Sequence, residues 1–288
     1  MEAAGKRYII HGSRKDEFKI WNFADVHLIS AACAEKLLDR DIQRVKDDPL
    51  AFWLGGGDLA DYIGYADTKR FDPQTLSPKV SVSDLGRLGE ISARMTRDKF
   101  APIKDKCLGI CMGNHEYEYY RRNQQNGLHG WLCTELGVPN LGYSALLDLV
   151  FCRTGRTRKP FISLDSPEGT SYHSSTFRVY IHHGAGAATT HGGKMNRLSQ
   201  FMTDFEADIY FIGHVHDHKA LPIERIGADA PCRTITARKS LGVISGAYVK
   251  TYAQGLMTWG ERKAFRPSIL GAAWVRVNPE TRDVTAEV

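Results

Sequence analysis

The chain reads as a layered α/β protein, and three observations predict it. Five short apolar runs recur along the 288 residues, each ending in a cluster of polar residues. Stretches with helical periodicity lie between and after them, and strands alternating with helices give layered α/β architecture. A composition of 42% hydrophobic and 25% charged residues supplies a substantial core and a solvated surface.

The first run, 18–23, leads to Asp25-Val26-His27, and the second, 50–54, to Gly57-Asp58. The third, 107–112, precedes Gly113-Asn114-His115-Glu116. The fourth, 177–181, precedes His182-His183-Gly184, and the fifth, 209–212, precedes Gly213-His214-Val215-His216. Each is short enough for a buried strand, so the polar residues sit at strand ends, where open α/β sheets place their chemistry. Helical spacing relates Leu37, Leu38, Ile42 and Val45, and again Val82, Leu85, Leu88, Ile91 and Met95. A helix is also expected through Tyr117, Tyr119, Tyr120, Arg121 and Arg122 with the arginines outward, and another after Gly192-Gly193-Lys194, carrying Leu198, Phe201 and Met202. Two further strands are expected at 234–248 and 271–277.

The polar clusters carry carboxylates, imidazoles and one amide. That mixture suits Mn, Fe, Co, Ni or Zn, whereas Ca and Mg prefer oxygen shells. The ligands suffice for two ions. A shared carboxylate can hold two cations about 3.5–4 Å apart, polarising a phosphoryl oxygen and lowering the pKa of a bound water toward about 7. This chemistry points to phosphoester hydrolysis.

In order and spacing these stretches resemble the calcineurin-like metallophosphoesterases, whose pattern is D-x-H, G-D, G-N-H-[DE], a strand-end His and G-H-x-H. The match runs from about Phe18 to His218. The resemblance implies a sandwich of two mixed β-sheets flanked by helices, as one domain over 1–288 with insertions at about 61–80 and 152–175. It implies a first metal on Asp25, His27 and His216 and a second on Asn114, His182 and His214, with Asp58 bridging. His182 and His183 are adjacent, so strand register decides between them; His182, first after the apolar run, is the expected ligand. His115 would protonate the leaving oxygen or place charge on the phosphoryl group, with Glu116 orienting it, and a metal-bridging hydroxide would be the nucleophile. Two divalent transition-metal ions are the implied cofactors, with Mn favoured.

The expected substrate is a phosphodiester of nucleotide or nucleic-acid type. A phosphomonoester is the alternative, and a catalytically silent scaffold a further one. A net charge of +5 favours an anionic substrate but falls short of a dedicated nucleic-acid binder. In the first insertion Lys69 and Arg70 are candidates to grip a second phosphate, and Asp61 to hold a ligand histidine; a solvated loop is the plainer reading. In the second, Arg153, Arg156, Arg158 and Lys159 read as a basic hairpin tip, solvated or touching a phosphate backbone. The glycine-rich turn from Gly184 to Gly193 either packs beside the metals or cradles phosphate, with Thr189, Thr190 and His191 near the cleft. His218 and Asp217 lie close to the last motif. No run approaches the roughly 18–20 apolar residues of a membrane span, nor does the N-terminus read as a signal peptide, so a cytosolic location is expected. The six cysteines contain no C-x-x-C pair and are expected as free core thiols.

Overall fold

A computed structural model of the chain describes residues 1–123, 127–155, 157–168, 171–186 and 188–288. Its strands are β1 (Glu2–His11), β2 (Phe18–Phe23), β3 (Ala51–Gly55), β4 (Cys107–Ile110), β5 (Ser144–Arg153), β6 (Phe161–Ser163), β7 (His173–His182), β8 (Ile209–Ile212), β9 (His218–Ala228), β10 (Ile235–Ala247), β11 (Gly271–Val277) and β12 (Val284–Glu287). The helices are α1 (Glu35–Asp47), α2 (Leu88–Phe100), α3 (Asn114–Asn123), α4 (Leu128–Leu136), α5 (His191–Asp204) and the short α6 (Trp259–Arg262). The expected strands are present, as are helices over the expected 37–45, 117–122 and 194–202 stretches. β1 was not anticipated, because Gly5, Lys6 and Arg7 interrupt its apolar pattern; the buried Arg7 satisfies its guanidinium on the carbonyls of Leu108, Ala4 and Lys6.

Hydrogen bonding runs in the order β4-β3-β2-β11-β10-β8-β7-β5-β1-β6, with β12 on β11 and β9 on β10. The path has two faces of a sandwich. β2, β3 and β4 are parallel and β11 and β12 antiparallel on one side; β10, β8 and β7 are parallel on the other, followed by antiparallel β5. Strand pairing joins the halves where Gly246 and Ala247 pair with Ala272 and Gly271. This is the sandwich of two mixed sheets.

Alternation on each strand explains the layers. Phe18, Ile20, Phe52, Leu54 and Leu108 from the first half meet Leu147, Leu149, Phe177, Val179 and Ile181 from the second in one apolar cluster. Each fully buried side chain of this kind contributes roughly 1.5–3 kcal/mol. The opposite residues Trp21, Phe23 and Trp53 pack on Leu38, Ile42 and Val45 of α1, Phe100 of α2 and Leu132 of α4. Tyr180, Tyr210 and Ile212 pack outward on Leu198 and Met202 of α5. The 82–95 periodicity is corrected: 3₁₀ geometry covers Val82–Arg87 with Val82 exposed, and α2 buries Leu88, Ala93, Thr96 and Phe100. Five cysteines are buried and free as expected, but Cys232 is exposed at the turn between β9 and β10.

Candidate metal centre

Where the strands end, the chain turns sharply. Asp25, His27, Asp58, His214 and His216 all adopt positive φ, between 45° and 67°. Left-handed backbone at non-glycine residues costs roughly 1–3 kcal/mol each, so the surrounding structure must hold it. Cross-links do so: Val26 and His27 N–H donate to Asp58 O at 2.9 and 3.0 Å, and His214 N–H donates to Asp25 Oδ2 at 2.7 Å. Close approach is also built in. A Cβ on Gly113 would lie 2.0 Å from Asp58 Oδ1, and one on Gly57, itself at φ 88°, 2.7 Å from Gly113 and from His183 Nδ1.

These turns bring the predicted residues together. Asp25, His27 and His216 present donor atoms within 4.8 Å of one another, as do Asp58, His183 and His214; His27, Asp58 and His115 form a third such group. Asp58 therefore adjoins histidines of both sets. Asn114, the first residue of α3, places Oδ1 2.9 Å from His183 Nε2.

His183, not His182, occupies the fourth position. Phe177, Val179 and Ile181 point between the sheets, and the two-residue period carries that face on to His183. His182 shares the outward face of Tyr180, packs 4.9 Å from the Phe201 ring, and accepts the Gly184 N–H at 2.7 Å. Burial and the neighbouring charged His183 push the His182 pKa down to about 4. For His183 burial opposes charge, but Asp58 outweighs it and raises the pKa to about 10.

Tautomers follow from the partners. His183 Nδ1 lies 2.9 Å from the Gly56 carbonyl, which only accepts, so Nδ1 carries the proton and Nε2 faces the cluster. His27 Nδ1 lies 2.9 Å from Asp61 Oδ1, again turning Nε2 inward. Asp61 thus holds a ligand-type histidine, one of the roles weighed for it. His27 Nε2 is buried and makes no hydrogen bond, and Asp25 Oδ1, buried beside it, lies 3.2 Å from His216 Nε2. A buried imidazole nitrogen left without a partner costs free energy unless something fills the space beside it. His27 and Asp25 belong to a donor set of imidazole, carboxylate and amide, so the residues fit divalent transition metals.

His115 reaches the same space. Its Nδ1 is held by Asp61 O at 2.5 Å, while Nε2 lies 4.0 Å from Asp58 Oδ2 and 3.5 Å from Arg70 Nη1. Burial opposes its protonation, but Asp58 and the Asp61 carboxylate, 3.3 Å from Nδ1, raise its pKa to about 9; cations bound nearby would pull it down again. Glu116 does not orient it. The Glu116 carboxylate accepts the N–H groups of Asp58, Leu59 and Gly113 at 3.0–3.1 Å, tying α3 to the Asp58 turn.

The cluster floors a cleft of about 370 Å³. One wall comes from the first insertion: Arg70 lines it, oriented by an ion pair of 2.6 Å with the buried Asp67, whereas exposed Lys69 does not line it. The second insertion lies elsewhere. Ser144 pairs with His182 at the site end of β5, and Arg153 pairs with His173 at the other, roughly 30 Å away at the rise of a strand. Arg153 there binds Glu280 at 2.6 Å, and Arg156 lies outside the described residues. Gly184 packs against Gly213 and His214, as tight packing beside the cluster predicts. Lys194 and Thr189 line the cleft; His191 pairs with Asp217 at 2.7 Å. The opposite wall, from Val249 to Arg266, was not anticipated.

The calcineurin-like phosphoesterase family model matches residues 18–218, which contain all five motif stretches. The chain belongs to that family. No curated protein compared with it matches. Among solved structures it is similar to a conserved uncharacterised protein of Streptococcus pneumoniae described as a predicted phosphoesterase, at 12% identity and a TM-score of 0.33, covering 91% of this chain and 82% of that one. It is also similar to a single mutant of Vps29 from Entamoeba histolytica, at 10% identity and a TM-score of 0.33, covering 94% and 97%. Among the described residues no helix is long and apolar enough to cross a membrane.

Proposed function

We propose that this family member is a metal-dependent phosphoester hydrolase holding two divalent transition-metal ions, and that it prefers phosphodiesters. The observation that carries the reading is the clustering of Asp25, His27 and His216, and of Asp58, His183 and His214, with donor atoms of each group within 4.8 Å, His27 Nε2 buried without a partner and Asn114 beside His183. Asp25, His27 and His216 would hold one ion and Asn114, His183 and His214 the other, with Asp58 between them. Bound there, the ions would supply Lewis-acid polarisation of the phosphoryl group and acidify a water.

The chain's own residues do the rest. Arg70, fixed by Asp67, donates hydrogen bonds to a non-bridging oxygen of the substrate. His115, fixed by the Asp61 carbonyl, gives its Nε2 proton to the leaving oxygen as the P–O bond breaks. A water oxygen forms the new P–O bond, so a diester leaves as a monoester and an alcohol. The diester preference rests on charge placement: Arg70 spends part of its fork on Asp67 and offers no free bidentate clamp for a monoester dianion, Lys194 is paired with Asp217, and the remaining cations of the cleft stand on the far wall.

Elemental analysis after reconstitution with Mn, combined with turnover of methyl p-nitrophenyl phosphate, tests this. Two ions per chain and hydrolysis exceeding that of p-nitrophenyl phosphate are expected. A single ion removes the dinuclear reading, and faster monoester turnover removes the diester preference. His115→Ala should keep its metal while losing about 10²–10⁴-fold in turnover of an alkyl-leaving diester, and less where the leaving group is nitrophenolate. Unchanged turnover of the alkyl ester would show that His115 is not the acid.

A further inference from the structure

The wall of the cleft contributed by 249–266 is a platform built by its own hydrogen bonds. Thr258 Oγ1 caps α6 by accepting Glu261 N–H at 3.0 Å and itself donates to the Thr251 carbonyl. Tyr252 OH donates to Phe265 O at 3.0 Å, and Phe265 N–H donates to Gly260 O at 2.9 Å. Lys250 N–H donates to Ala32 O, anchoring the segment beside the Asp25 turn. Arg262 reaches Asp72 of the first insertion at 3.7 Å, so the two walls are joined.

Two features of this platform are unused by the chemistry described above. Trp259 is 44% exposed and Phe265 37%, their rings edge to face at a centroid distance of 5.0 Å, and both line the cleft. An aromatic pair half open to a polar cleft leaves apolar faces without a partner. Lys250 and Arg266 line the same cleft, and among the described residues their side chains make no ion pair or hydrogen bond. The other cationic side chains facing the cleft, Arg70, Lys194 and Arg262, are paired with Asp67, Asp217 and Asp72.

We propose that this platform is the specificity subsite for a nucleoside phosphodiester bearing a second phosphate: the base stacks on Trp259 and Phe265, and Lys250 and Arg266 receive the phosphate beyond the scissile one. The inference rests on the phosphodiesterase reading. Base stacking on aromatic side chains needs no sequence-specific contact, because every base has a π-face. Two unpaired cations supply charge-assisted hydrogen bonds to a phosphate that a small aryl ester does not have.

Three substrates with one leaving group isolate the subsite: methyl p-nitrophenyl phosphate, thymidine 5′-(p-nitrophenyl phosphate), and the same nucleotide with a 3′-phosphate. In the parent, kcat/KM should rise along the series. Trp259→Ala should lower kcat/KM for both thymidine esters by about 10-fold, chiefly through KM, and leave the methyl ester within about twofold. Trp259→Phe should restore most of the loss. Lys250→Ala with Arg266→Ala should erase the gain from the 3′-phosphate alone. Equal losses on all three substrates, or a parent that hydrolyses the methyl ester as efficiently as the nucleotides, would overturn the subsite. Calorimetric binding of thymidine 3′,5′-bisphosphate separates this idea from the hydrolase reading. If the parent hydrolyses no phosphoester with any metal, that reading fails, yet the subsite stands if the bisphosphate binds the parent about 10-fold more tightly than Trp259→Ala, and falls if the two bind alike.

Discussion

His182 and His183 show how much rides on one residue of register. The sequence places both at the end of an apolar strand, and the alternation of Phe177, Val179 and Ile181 already selects His183, because the side chain two positions beyond an inward residue faces inward again. Reading only the first polar residue after the run loses that information. The structure separates the two by environment: His183 is fully buried among Asp58, Asn114 and Gly56, and His182 packs on Phe201. His183→Ala should therefore lower metal content after reconstitution with Mn by at least one ion per chain, and His182→Ala should leave it unchanged while lowering thermal stability through lost packing on α5. The reverse pattern in elemental analysis would return the ligand role to His182. The remaining motif residues were legible because short D-x-H, G-N-H-E and G-H-x-H stretches fix their own turns. Glu116 was not: its backbone acceptance from Asp58 and Leu59 depends on a pairing between segments 57 and 58 positions apart.

At the scale of elements, the walls of the cleft divide into what local pattern reveals and what only long-range folding reveals. The first insertion follows Asp58 directly and so must begin at the site, which made Lys69 and Arg70 candidates. Only the structure tells them apart, since the ion pair to Asp67 turns Arg70 toward His115 and leaves Lys69 exposed. Arg70→Ala should raise KM for a phosphodiester about 10-fold or more, the cost of removing a charge-assisted contact, whereas Lys69→Ala should change it less than twofold. Steady-state kinetics on methyl p-nitrophenyl phosphate decides this, and equal effects would place both residues in a merely structural loop. The basic hairpin from Arg153 onward failed as a candidate because β5 carries it from the site end of the sheet to the opposite end. Segment 249–266 has little periodicity and lies far from every motif in sequence. It reaches the cleft because β10 ends beside Asp25, where Tyr248 N–H donates to Asp25 O at 2.9 Å.

Over the whole molecule the layered α/β architecture was legible in the apolar runs of the central strands, buried on both faces, whereas the two-sheet sandwich was implied by the family resemblance. The chain's stability to acid follows from what that burial encloses. His129 on α4 is 5% exposed, packed beside Ile110 at the end of β4, with Nε2 3.2 Å from Asn140 Oδ1. Burial pushes its pKa down to about 4, and the bond to Asn140 only partly opposes that shift. In the unfolded chain it titrates near 6.5. Above that pH the ring is neutral in both states and contributes nothing to pH dependence. As the pH falls from 6.5 toward 4, the unfolded chain takes up a proton that the folded chain resists, so stability declines, by at most about 3 kcal/mol, and levels off below 4. Other histidines whose pKa values are lowered, His182, His214 and His218, share this window, whereas His183 and His115, with raised folded pKa values, act above pH 6.5. A difference measurement removes them. Urea unfolding of the parent and of His129→Gln, both with chelator present, should show the parent losing stability relative to the variant between pH 6.5 and 4, with a constant offset above pH 7. A difference that stays flat across the whole range would mean that His129 remains solvated enough to protonate in place, and that the packing of α4 against β4 is looser than the structure has it.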